Sequence, residues 1–391
     1  MRALAVLLLL ILLIAGGTLA AVKHTYGGGD EFPDRHPAAA RLPESALEVV
    51  ADLPTPPGNI AVSADGRVFV SLHPEAHPDL KVVELVKGRM VPFPAPSYQD
   101  PKDPWGFDNV LGIRIDAQHR LWTLDNGTHG THPVRLLAFD LTSNLRVHDV
   151  TFPRDIAPRG SHLNDFQVSP DGRFVYIADA SFFGKTPAIV VYDVEHKSAR
   201  RVLQNHPSVL AERYLPVVQG RRMEAYGLVA IRPGVNGIAL DAAGEWLYFA
   251  PITNLNLSRI RTADLLNTSL SAAELAGRVE VYAPKTMSDG IAMDAAGNVY
   301  LTDLEHSAIV VLRADKTLET LIQSDRLRWP DGATLGPDGA LYVTCSSLHQ
   351  VIGLPRDSVA QHAPYQVFRI ALAPPPAAAA ASEAPAEVST P

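Results

Sequence analysis

One pattern recurs along this chain: a short apolar strand, a polar turn, then a second strand rich in β-branched and aromatic residues. The copies are NIAVSADGRVFVSL (59–72), GIRIDAQHRLWTLD (112–125), DFQVSPDGRFVYIAD (165–179), GIALDAAGEWLYFAP (237–251), GIAMDAAGNVYLTD (290–303) and GATLGPDGALYVTC (332–345). Their turn positions are Gly66, His119, Gly172, Gly244, Gly297 and Gly339, at intervals of 53, 53, 72, 53 and 42 residues. Asp-Gly between alternating strands marks a tight hairpin, because glycine takes the positive φ such a turn needs. A strand repeat of this length is the signature of a β-propeller, and six copies mean six blades. Material for two more strands follows each copy, as AIVVLRAD (308–315) and LETLIQ (318–323) follow VYLTD. The last copy has one obvious strand behind it, YQVFRIAL (365–372), while SALEVVADL (45–53) precedes the first. The N-terminal strand is therefore expected to complete the sixth blade and close the ring, which removes open sheet edges. The fold class is all-β, a six-bladed propeller over 45–372. The 72-residue interval leaves room for an insertion near 204–233, and residues 264–277 suit a short helix. Inserts in repeat folds gather on one face, often the binding face.

The two ends read differently. In residues 1–22, Arg2 precedes an apolar run that meets no further charge until Lys23. This is the layout of a secretory signal, with Thr18 and Ala20 at the −3 and −1 positions of a cleavage site. The uncharged run Ala3–Val22 is also about long enough to span a bilayer. A cleaved signal and a retained membrane anchor both stand, and either places the rest of the chain outside the cytoplasm: periplasmic, extracellular or held at the outer face of the membrane. Residues 23–44, with GGG at 27–29 and scattered prolines, read as a linker. Residues 373–391, APPPAAAAASEAPAEVSTP, cannot form a core and read as a disordered tail.

Composition narrows the functional classes. Lys and Arg number 34 against 42 Asp and Glu, a net charge of −8 that argues against nucleic-acid binding. The chain is 47% hydrophobic and 19% charged, as expected of a packed globular protein. The single cysteine, Cys345, excludes an intrachain disulfide and any multi-cysteine metal site; it reads as a small buried side chain. A monomer is expected.

The residues just before the inner strands are polar in a regular way: Gly58-Asn59, Asp108-Asn109, Asn164-Asp165, Asn236-Gly237, Asp289-Gly290 and Asp331-Gly332. A local turn role would account for any one of them, but six at one phase imply a polar ring on the propeller axis. Such oxygen donors suit a hard cation such as calcium or magnesium. They equally suit a polar ligand, with carboxylates pairing an amine. Carboxylates crowded at one mouth raise one another's pKa, which makes one of them a proton shuttle. His162, in SHLND, lies two residues before the blade 3 pair, and Trp105 and Trp329 stand beside Asp108 and Asp331, where they could stack on a ring. Phe182 and Phe183 are weaker candidates of the same kind, and the two histidines of DNGTHGTH (125–132) are a weak metal signal.

LPTPPGNIAVSADGRVFVSLHP (53–74), GIRIDAQHRLWTLDNG (112–127) and SHLNDFQVSPDGRFVYIAD (161–179) resemble the major royal jelly/Yellow protein family, over about residues 45–372. The resemblance implies a six-bladed, secreted propeller. Some insect members are linked to dopachrome conversion, others bind biogenic amines and others serve as nutrition, so it implies no single reaction. The chain lacks the disulfide cysteines of the insect members. A more distant resemblance is to gluconolactonase/senescence-marker propellers, which hold a divalent metal with a Glu on blade 1, an Asn on blade 4 and an Asp on blade 5, with a further Asn on blade 3. The matching positions here are Asn164, Asn236 and Asp289, whereas blade 1 carries Asn59 in place of the glutamate. Losing that carboxylate weakens cation binding.

The reading that follows is an exported propeller that binds a small polar or aromatic molecule at its central mouth. If it is an enzyme, tautomerase-like proton transfer comes first. Asp289, Asp331 or Asp165 would shuttle the proton, while Asn59, Asp108, Asn164, Asn236, His162, Trp105 and Trp329 would hold the ligand. No cofactor is expected on this reading. The alternatives are a lactonase using calcium or another divalent cation on Asn164, Asn236 and Asp289, and a non-enzymatic ligand-binding or envelope protein.

Overall fold

The computed structural model describes residues 2–372; the tail expected over 373–391 lies outside them. Six four-stranded antiparallel sheets surround one axis. Their innermost strands are Pro57–Val62, Val110–Ile115, Leu163–Val168, Val235–Leu240, Ser288–Met293 and Pro330–Leu335. These strands are mostly buried on both faces, so their burial does not alternate, and polar residues stand only at their first places and a few later ones. Blade 6 consists of Pro330–Leu335, Leu341–Cys345, Tyr365–Ile370 and, outermost, Leu47–Leu53. The closing pair runs from Leu47 opposite Ile370 to Leu53 opposite Tyr365. All six hairpin positions are left-handed: Gly66, Gly172, Gly244, Gly297 and Gly339 lie at φ 85°, 72°, 72°, 84° and 73°, and His119 at 59°.

Each seam between adjacent blades holds one apolar cluster. Phe69 and Phe139 share a cluster between blades 1 and 2, Trp122 and Ile177 one between blades 2 and 3, and Tyr176 and Phe249 one between blades 3 and 4. Tyr248 and Leu301, Tyr300 and Phe368, and Tyr365 and Val70 belong to the remaining three. At roughly 2–3 kcal/mol for each large apolar side chain removed from water, the seams hold the ring together.

The inner strand pair of every blade is bulged at the same place, as the register shifts at Pro57/Ile60, Val110/Ile113, Leu163/Phe166, Val235/Gly237, Ser288/Ile291 and Pro330/Ala333 show. A bulge re-aims a side chain out of the sheet, here toward the axis. The residues at the bulges are Gly58-Asn59, Leu111-Gly112, Asn164-Asp165, Asp289-Gly290 and Asp331-Gly332, and in blade 4 Asn236, with Gly237 next to it already paired to Ala250. Glycine at the second place lets inner strands converge: a Cβ on Gly112 would lie 2.2 Å from Asn164 O, and one on Gly290 2.2 Å from Asp331 O.

The insert folds over the mouth as two small ribbons, Val217–Val218 with Arg221–Arg222 and Glu224–Ala225 with Val229–Ala230. Short helices occupy Thr262–Leu266 and Ala272–Ala276. At the N-terminus Arg2–Tyr26 is one helix, and from Val6 to Tyr26 it is long and apolar enough to cross a membrane, with a mean hydropathy of 2.4. It ends at the mouth insert, where Arg232 Nη2 donates to Tyr26 O at 3.2 Å. Residues 27–42 have almost no regular structure, yet they lie across the ring as a strap. Asp30 bridges to Tyr214, Arg35 Nη1 donates to Leu255 O at 2.6 Å, and Leu42 N donates to Leu321 O at 2.8 Å.

Candidate functional site

The bulges build a crescent rather than a full ring. Blades 3 to 6 contribute Asn164, Asn236, Asp289 and Asp331, while blades 1 and 2 offer Gly58 and Leu111 at the same level. A hydrogen-bond chain runs along it: Asn164 Nδ2 donates to Asn236 Oδ1, Asn236 Nδ2 to Asp289 Oδ1, and Trp329 Nε1 to Asp289 Oδ2 at 2.7 Å. One residue further down the strands, Asn59 Nδ2 donates to Asp165 Oδ1, and Arg114 Nη1 donates to Asn59 Oδ1 at 2.7 Å. Arg114 Nη2 lies 3.8 Å from Asp165 Oδ2.

Three carboxylates buried this close together resist ionisation. Burial pushes Asp289 up to about 7, with the Asp165 carboxylate adding to the effect and the Trp329 and Asn236 donors opposing it. Asp331 is raised well above the carboxylate range by burial and by Asp289 and Asp165. Burial also raises Asp165, against the pull of Arg114.

Above the crescent opens a cavity of about 350 Å³. Asn164, Asn236, Asp289, Trp329 and Asp331 line its polar side, and Phe182, Phe183, Tyr226, Ile231 and Leu348 line its apolar side. Asn59 and Asp165 do not reach it. A second cavity of about 680 Å³ adjoins it over blades 1 and 2 and shares His73, Glu75, Leu111, His129 and His162 with the first. His129 Nε2 lies 3.9 Å from Glu75 Oε1 and is the main influence that draws Glu75 down to about 2. Burial lowers His73 to about 4 and His162 to about 3, so both are neutral bases near neutral pH. His73 Nε2 is 4.0 Å from Asp331 Oδ2. Two buried polar atoms here have no partner in the protein, Asn164 Oδ1 and His129 Nδ1.

Besides Asn59, which lies below the cavity, two expected ligand residues stand outside the axial set altogether. Asp108 is not part of the axial set. The blade 2 strand begins at Val110, and the side chain of Asp125 accepts from the backbone N–H groups of Asp108 and Asn109, holding them at the rim. Asp108 accepts there from Thr128 Oγ1 at 3.0 Å and contacts His132 Nδ1 at 2.7 Å, on the wall of the larger cavity. Trp105 lines neither cavity. The turn at 100–106 carries it to the outer strand of blade 2, where the Arg146 guanidinium sits 3.3 Å from its ring centroid. Cys345 is fully buried and its thiol is pushed up to about 12, which leaves it inert.

Glu75 and His73 were not singled out from sequence, since they lie in a blade 1 connection far along the chain from His129, which was read only as one of two histidines giving a weak metal signal. The one local signal was the DNGTHGTH run. Gly127, Thr128, His129 and Gly130 all have left-handed φ, at 58°, 49°, 53° and 67°. Thr128 and His129 each pay about 1–2 kcal/mol for that conformation, and such strain gathers at ligand clamps and active sites. Trp329, at φ 52°, is a second bulky residue held this way against the crescent.

The donors for a divalent cation are a poor set. Asp289 already accepts on both oxygens, Asn164 and Asn236 are neutral, and the blade 1 position holds Asn59 bonded to the Arg114 guanidinium. Asn164 Oδ1 is the one free oxygen among the three expected ligands that points to a cation.

A profile described as "Major royal jelly protein" matches residues 109–353, which is most of blades 2 to 6. The chain belongs to the major royal jelly protein family. Honeybee (Apis mellifera) relatives include major royal jelly protein 5, 26% identical over 62% of this chain and 44% of its own length, and major royal jelly protein 9, 27% identical over 56% and 53%. This royal jelly family chain thus spans about half the length of the relatives it matches. Among solved structures, the fold is similar to a gluconolactonase from Xanthomonas campestris (TM-score 0.51, 14% identity, 83% of this chain and 88% of that one). It is likewise similar to a calcium-binding regucalcin from Agrobacterium tumefaciens (TM-score 0.52, 14% identity, 83% and 92%). At that identity the likeness is one of fold, and the royal jelly family crescent stands on its own residues.

Proposed function

We propose that this royal jelly family propeller binds a small molecule with an aromatic or apolar body and a polar head, and moves a proton on it. The observation that carries this reading is the pair Asp289 and Asp331, both resisting ionisation, at the polar side of a cavity whose other side is apolar. Asp289 accepts from Trp329 and Asn236 and is the carboxylate of the pair; Asp331 holds the proton. In a tautomerisation, Asp289 would take a proton from a carbon next to a conjugated carbonyl or iminium. Asp331 would give its proton to the oxygen or nitrogen that gains the electron pair. No atom is lost or added, and the pair ends with its proton exchanged. Phe182, Phe183 and Tyr226 would hold the body of the ligand by stacking.

The full chain in detergent, given dopachrome as probe, tests the reading by decay of the substrate's colour. Asp289→Asn and Asp331→Asn should each lower turnover by roughly 10²–10⁴-fold, the usual range for general acid–base catalysis. Unchanged turnover in both would overturn it. Unchanged aromatic-amine binding with no turnover in the parent would leave a binding protein. The lactonase reading is favoured only by the free Asn164 Oδ1; it requires activity that a chelator abolishes.

A further inference from the structure

We infer that His36, Asp303 and His306 form a site for a borderline transition-metal dication of the zinc class, which buckles the N-terminal strap to blade 5. His36 comes from the strap; Asp303 ends the second strand of blade 5, and His306 follows it in the turn. Their candidate ligand atoms all lie within 4.8 Å of one another. His36 Nδ1 is 3.2 Å from Asp303 Oδ2, and His306 Nδ1 is 3.0 Å from Asp303 Oδ1. Those separations match the ligand-to-ligand edge of a tetrahedron with metal bonds of about 2.0–2.1 Å.

The outer nitrogens of both rings have acceptors of their own. His306 Nε2 faces Asp34 Oδ1 at 3.5 Å, and His36 Nε2 faces Thr320 Oγ1 at 3.4 Å, while Thr320 spends its own proton on Pro37 O. These partners can take the Nε2–H when Nδ1 binds a metal, as second-shell groups do for metal-bound imidazoles. Without a metal, each Nδ1–H can donate to the Asp303 carboxylate; a dication would displace those protons and take the two Nδ1 lone pairs and the carboxylate together. Protonating both rings instead would stack two imidazolium ions face to face, with centroids 4.3 Å apart.

The other blades show the same need met differently. Asp125 and Asp179 hold the matching positions in blades 2 and 3, and each is neutralised by an arginine: Arg135 at 3.2 Å and Arg201 at 2.7 Å. Asp303 is as deeply buried and pairs with the two histidines instead. Lys285, the buried cation nearby, spends its Nζ on Ile252 O and Thr286 O.

The test uses the full chain in detergent, stripped with chelator and titrated with cobalt(II) alone. One equivalent should bind with the visible spectrum of a tetrahedral site, and the metal should slow tryptic cutting after Arg35 and Arg41. His306→Gln, at a half-buried position, and His36→Ala should each abolish the spectrum and the protection, leaving the parent's far-ultraviolet circular dichroism. Absence of stoichiometric binding would overturn the inference. So would a cobalt spectrum that survives both substitutions, since the metal would then sit elsewhere.

Discussion

Trp329 donates its indole N–H to Asp289 Oδ2 at 2.7 Å, across the seam between blades 5 and 6, from a backbone held at φ 52°. The bond favours the ionised form of Asp289, against burial that favours the neutral one. Trp329→Phe keeps the ring and removes the donor. Hydrogen bonds to charged groups contribute about 1.5–3 kcal/mol. Chemical denaturation should therefore show a loss of that order near pH 8.5, where Asp289 is ionised, and a smaller one near pH 5.

Asp289 also predicts a slope of stability with pH. Its folded pKa, about 7, lies above the usual 3.8, so the native state holds the proton more tightly than the unfolded chain. Stability from this group is complete below about pH 4 and declines as pH rises toward 7. Asp289→Asn removes that decline. The stability of the variant relative to the parent should therefore increase from pH 4 to 7, by up to ~1.4 kcal/mol per unit. A difference that stays flat across that window, measured by thermal melts, would contradict the assignment.

His119 is the one side chain at the six hairpin positions that are otherwise glycine, and it shares their left-handed φ of 59°. The conformation costs an L-residue about 1–2 kcal/mol. His119→Gly should raise the stability measured by chemical denaturation by about 1 kcal/mol, because the half-buried ring makes no side-chain hydrogen bond that would be lost.

Calcium should leave the thermal midpoint of the His306→Gln variant unchanged, because the crescent presents neutral amides, an occupied carboxylate and a nearby guanidinium. A midpoint that rises with calcium would restore the cation reading of Asn164, Asn236 and Asp289.

The propeller was legible because its hairpins obey a local rule: a turn that needs positive φ, between two strands, at a recurring interval. The crescent was legible where that phase was followed. Counting eight residues back from each turn reaches Asn164, Asn236, Asp289 and Asp331, but in blade 2 it reaches Leu111. Asp108-Asn109 imitates the polar pair three residues too early, just outside the strand. Glu75 and His73 left no comparable trace, and His129 only the weak DNGTHGTH signal, because connections of blades 1 and 2 meet only after the blades are packed. Trp105 misled for the opposite reason: sequence proximity to Asp108 says nothing about which edge of a blade a turn will carry it to.

The Leu47–Leu53 strand pairs with Tyr365–Ile370, so the propeller strand made first has its partner in the propeller strand made last. Contacts of such long sequence separation form late and slowly. Blades 1 to 5 can each assemble from consecutive residues, while the opening strand waits with its hydrogen-bonding edge bare. Ring closure therefore waits for the strand of the propeller that was made first. During that interval the apolar helix before it, if still attached, would keep the unpaired strand beside the membrane and away from the edges of other unfinished copies.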